Sequence, residues 1–187
     1  EAYGASANAA LEKYDYRTID GLVVYLDGPG GQRLPQPLRA LPAIEVVVTD
    51  AGFAEPVYAA GQGQTVRIVN RTGSPVTVTA ADDYTGESVT LGIAPAGGTT
   101  EWTATGEGSW ALYPGALPSE GRLFVAPSAW AAVVRAGGEA VFGNLPPGEI
   151  AVRGWHEAIP AAAVSAAVPA GEYASVSLVF SVDALTK

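Results

Sequence analysis

Few residues in this 187-residue chain carry reactive side chains. The single histidine is His156, in AVRGWHEAIP. The stretch ADDYTGES gathers Asp82, Asp83 and Glu87, and the serines are scattered. Cysteine and methionine are both absent, so no thiolate or thioether is available as nucleophile, redox couple or soft metal ligand. A lone imidazole needs partners to act. Ser109, Ser119 and Ser128 stand in no catalytic motif, and no G-x-S-x-G places a serine for His156 to activate. One histidine also cannot build a three-imidazole metal site within one subunit. Flanked by Trp155 and Glu157, His156 reads as structural, with a ring nitrogen bonded to backbone or to a carboxylate such as Glu157. Ligation across a subunit interface is the alternative. The oxygen donors of Asp82, Asp83 and Glu87 are a weak candidate for Ca²⁺, since their spacing lacks the EF-hand pattern and a solvated hairpin tip explains them more simply. The Asp82 and Asp83 carboxylates alone are slender ground for glycoside chemistry. Asn70-Arg71-Thr72 has the form of a glycosylation acceptor, yet it falls where turn residues cluster. Trp102, Trp110, Trp130 and Trp155 suit either a sugar-binding face or a sandwich core, and the core is the reading adopted. The chemistry points to a protein that is not an enzyme and has no cofactor.

The elements that must carry these residues are strands. The chain is 48% hydrophobic, and its 23 glycines and 14 prolines punctuate short runs rich in Val, Ile, Thr and aromatics, with almost no helical periodicity. Leu22–Leu26 reads as a buried strand closed by a Gly-Pro-Gly-Gly turn. From Ile44 strands follow at the spacing of a sandwich or partly closed barrel: IEVVVT, EPVYAA, QTVRIVN, PVTVTA, SVTLGI, TTEWTA and GSWALYP. The pattern resumes in LFVAPSAWAAVVR, GEAVFGNLPPGEIAVRGWHEAIP and AAVSAAVPAGEYASVSLVFSV. Pro160 and Pro169 bracket an alanine-rich segment that should run extended and not as a helix. Residues 1–20 form a weakly patterned arm, whose stretch YDYRTI, with the apolar residues Tyr14, Tyr16 and Ile19, alternates suitably for adding a strand to a sheet edge. No apolar run is long enough to span a bilayer. The net charge of −9 and the single, scattered arginines leave no basic stripe for nucleic acid.

The stretches GLVVYLDGPGG, GQTVRIVN and VFGNLPPGEIAVRGWHEAIP give the chain a family resemblance over residues 21–182. It resembles secreted cupredoxin-like, or plastocyanin-like, proteins of the kind labelled methylamine utilisation protein. The resemblance implies an all-β fold, with a cupredoxin-like β-sandwich over 21–135 followed by, or interleaved with, a small transthyretin-like β module over 136–187 packed on it. It also implies copper ligands that this chain lacks. Val76 stands at about the position of a ligand histidine, and Pro114, Ala126 and Ala129 are the approximate counterparts of the later ligand cluster.

The N-terminus lacks an initiator methionine and resembles the start of a processed product, and Asn and Gln together number only seven. An extracellular or periplasmic location is therefore expected. The expected role is structural, in self-association or assembly with another secreted protein, as in a subunit of an extracellular polymer. The alternative is a periplasmic accessory protein, binding a ligand or carbohydrate beside a redox system.

Overall fold

The computed structural model describes residues 20–117, 119–135 and 137–180. The strict alternation of β5 (Thr65–Asn70) turns Val66, Ile68 and Asn70 inward, and β6 (Val76–Asp82) does the same with Val76, Val78 and Ala80. Each such Val or Ile contributes about 1.5–3 kcal/mol through burial. Arg67, on the outer side of β5, lies opposite Glu45 of β2 (Ile44–Thr49) and Glu101 of β8 (Thr99–Thr103), and pairs with both. The alternation thus sets the core and the charged ladder at once. With β3 (Gly52–Phe53), these strands make a sheet of order β3-β2-β5-β8. The second sheet has order β4-β10-β9-β6-β7, adding β4 (Val57–Gly61), β7 (Ser88–Ala94), β9 (Gly108–Pro114) and β10 (Gly121–Ala126). Val46, Val48, Val66 and Ile68 of the first sheet meet Val78, Leu112, Leu123 and Val125 of the second in one core. This is the all-β sandwich expected.

A third sheet, of order β11-β1-β12-β13, consists of β1 (Leu22–Asp27), β11 (Ala131–Val134), β12 (Gly148–His156) and β13 (Ile159–Val168). The small β module expected from residue 136 onward thus shares its sheet with two strands drawn from within 21–135. After β10, residues 127–130 carry the chain from the sandwich to the third sheet. Trp130, at 2% exposure, anchors that passage, with its Nε1 donating to the carbonyl of Gly143 at 2.9 Å. One face of the third sheet, through Val23, Tyr25 and Trp155, packs on Ala59, Phe124 and Ala126 from the outer side of the second. The molecule is therefore three layers deep. The alanine-rich segment runs extended, as β13.

The end of AAVSAAVPAGEYASVSLVFSV departs from the strand expected. Up to Phe180 it pairs with no strand and instead crosses the open face of the third sheet. Gly154 explains the choice: a Cβ there would fall 2.1 Å from Phe180 Cζ and 2.9 Å from Leu178 Cδ2, so the missing side chain is the seat of both apolar residues.

Candidate functional site

His156 ends β12 next to Trp155, whose ring stacks on Phe124 at 4.9 Å between centroids. Its Nδ1 accepts the backbone N–H of Ala158 at 3.1 Å, closing the tight β12–β13 turn. Of the two partner classes expected for the ring, the backbone takes it. Glu157 turns instead to Arg122 of β10, whose Nε lies 3.0 Å from Oε2. Arg122 also binds Asp83, which accepts a bond from Ser109 Oγ at 2.6 Å, so the β6–β7 hairpin, the second sheet and the third are tied at one cation.

That arrangement divides the acidic candidates. The Asp82 carboxylate accepts the backbone N–H groups of Thr85 (2.6 Å) and Tyr84 (2.8 Å), which hold its pKa below the usual value. Asp83 faces Arg122, and Glu87 is exposed. Among the described residues, no group of three His, Cys, Asp or Glu side chains is placed to hold a metal ion. The Ca²⁺ candidate of Asp82, Asp83 and Glu87 is thus corrected to a capped turn and an ion pair. The serines have comparable tasks: Ser128 Oγ accepts Leu34 N–H at 3.1 Å, and Ser119 Oγ accepts Phe53 N–H at 2.9 Å. Asn70 is 1% exposed. Its Nδ2 donates to the carbonyls of Ser74, Ala94 and Pro95 while Oδ1 accepts Thr72 N–H, which leaves no room for a glycan. All four tryptophans pack against core clusters, Trp130 buried and Trp102, Trp110 and Trp155 partly so, and they are spread over three separate clusters.

The four counterparts of copper ligands do not converge. Pro114 pairs opposite Val78, so it and Val76 share one end of the second sheet. That end is filled with apolar side chains, among them Phe53 and Leu117. β10 runs antiparallel to β9 and carries Ala126 to the far end, where Ala129 lies against Gly61. Strand direction thus separates them. No imidazole, thiolate or carboxylate stands among these four residues, so they do not fit a copper ion.

No family model matches the chain, and no curated protein matches it. Solved structures similar to it include amicyanin variants. One, a reduced Cu(I) form at pH 4, is 21% identical, with 47% of this chain and 86% of that one covered at a TM-score of 0.39. A second Cu(I) form is 20% identical, with 54% and 98% covered at a TM-score of 0.40.

Two features escaped the sequence reading. Asp27, at the end of β1, is 4% exposed, and its Oδ2 lies 2.9 Å from Arg153 Nε, though the N–H is not aimed along that line; among the described residues Oδ1 has no partner. Burial raises its pKa, against the opposing pull of Arg153. In the sequence it stands before Gly-Pro-Gly-Gly and resembles an ordinary turn aspartate. The other is an open apolar groove of ≈ 1200 Å³ between the third sheet and residues 171–180, floored by Val24, Leu26, Ile150 and Val152. The arm residues Tyr14, Tyr16 and Ile19 lie outside the described residues.

Proposed function

We propose that the protein is a non-catalytic, metal-free β-sandwich of the extracellular or periplasmic space. In this reading it works by assembly with copies of itself or with another secreted protein, using the arm residues Tyr14, Tyr16 and Ile19 as the docking strand. One observation carries the non-catalytic part. Ser109, Ser119, Ser128, His156, Asp82 and Asp83 each make a bond that closes a turn or ties two elements; the one hydroxyl bonded to a carboxylate among them, Ser109 on Asp83, faces a base already paired with Arg122, and His156 stands beside none of these serines. Assembly is supported by the arm itself, whose Tyr3, Leu11, Tyr14, Tyr16 and Ile19 are more apolar than a solvated tail needs. Light scattering on the eluting protein over a range of concentrations tests it. The expected result is a mass that grows with concentration, and a monomer at every concentration overturns it.

The groove supports a second reading as a ligand-binding accessory protein. Its floor is aliphatic, which suits an apolar ligand better than a carbohydrate.

A further inference from the structure

Among the described residues, β13 pairs only with β12, and its other side presents ten residues of backbone without a partner. The remaining edges are guarded. β3 is two residues long and tied down by Ser119. β7 and β8 close on each other, with Thr100 packed directly against Gly92. β8 also carries Glu101 at its centre, and β4 and β11 lie against one another. β13 has none of these protections. Ile159–Val168 holds no charged residue, its proline sits at the second position, and the exposed side chains are Ala161, Ala163, Ser165 and Ala167. Such an edge is a template for a further strand.

We infer that β13 is the acceptor edge for residues Tyr14–Ile19 of a second copy of this chain. The inference rests on the assembly reading and names its surface. Three observations select this occupant. First, chain length forbids the same pairing within one molecule. The free side of β13 is three strand spacings from β1, about 14 Å. From Ile19 to Leu22 there are only three Cα steps, about 11 Å at full extension. The entry to β1 also leans the other way, since Asp20 Oδ1 lies 3.6 Å from Arg135 Nε, just past β11. Second, the two faces match. The upper face of β13, with Ala162, Val164, Ala166 and Val168, continues the apolar groove floor of Ile150 and Val152, where Tyr14 and Tyr16 would find cover. Third, the opposite face has an exposed acid, Glu149, paired across from Ala167, whose small side chain leaves it within reach of Arg17 on the alternate face of the arm. A donor from one copy and an acceptor on the next give a head-to-tail contact that need not close, and so propagates.

The absence of cysteine makes a clean test possible. The double variant Ala163→Lys, Ser165→Lys, both at exposed positions, should raise the half-assembly concentration roughly tenfold or more while leaving the thermal transition in place. In parallel, full chains carrying Asp15→Cys are mixed with full chains carrying Ser165→Cys and treated with a short bismaleimide. A heterodimer is expected. If the parent chain assembles but the lysine variant assembles equally, the inference is overturned and the assembly reading stands. If the doubly substituted chain, Asp15→Cys with Ser165→Cys, cross-links within a monomer, the trans arrangement is overturned. A parent chain that stays monomeric at every concentration overturns both.

Discussion

Asn70 shows how one polar side chain can determine a whole turn. Inward alternation along β5 buries it, and three carbonyls and one N–H then converge on its amide. Asn70→Ala leaves those groups without partners and should cost about 1–3 kcal/mol in urea unfolding. Asn70→Asp should cost more, because an anion would face the same carbonyls. Equal stability of all three proteins would show that water satisfies the turn without Asn70. Asp27 predicts a pH dependence. Its pKa is raised in the folded chain, so its contribution to stability is fully present below the ordinary carboxylate value and is lost as pH rises through the folded one. Asp27→Asn should therefore be as stable as the parent or more so at pH 7, with that advantage shrinking toward acid; Arg153, itself 35% exposed, can turn to solvent. Unfolding curves at pH 3, 5 and 7 check the sign. The turn role of Asn70 was legible from Asn, Thr, Gly and Pro in sequence. The buried role of Asp27 was not, because its partner Arg153 lies 126 residues further on and no local pattern joins them.

At the scale of elements, alternation located the strands but could not assign them to sheets. LFVAPSAWAAVVR reads as one apolar stretch, yet it serves two sheets, because Ser128 and Trp130 anchor a crossing between them. Likewise β1 precedes the sandwich strands in sequence and belongs to the third sheet, through pairing with β11 and β12 more than a hundred residues away. Gly61 marks where that crossing presses on the sandwich: a Cβ there would fall 2.4 Å from the backbone of Ala129. Gly61→Ala should therefore destabilise by about 1–3 kcal/mol through overpacking, and thermal or denaturant unfolding would show it. A neutral substitution would mean that residues 126–130 yield easily, and that the join between sandwich and third sheet is loose. The C-terminal segment has the alternation of a strand, but alternation does not distinguish an edge from a face, and the bare backbone at Gly154 draws Phe180 onto the face.

The whole molecule is a β-sandwich with a third sheet packed on its outer side, and among the described residues β13 is an unpaired edge of that sheet. The donor set predicts that neither Cu⁺ nor Cu²⁺ binds at a stoichiometric folded site, since thiolate, thioether and a second imidazole are all missing from the sequence. Titration followed by absorbance and calorimetry should show no blue species. One-to-one sub-micromolar binding that His156→Ala abolishes would contradict this, and would restore His156 as a ligand. Deletion of residues 1–18 separates docking of the arm on a neighbour from docking on its own chain, with particle mass by light scattering and the thermal transition measured on the same samples. If the arm docks on a neighbour, the full chain forms large species, seen as extended particles by negative-stain microscopy, whereas the truncated chain is a monomer with an unchanged transition. A large fall in the transition temperature with no change in particle mass would contradict it, because the arm would then belong to its own fold and not to its neighbour's.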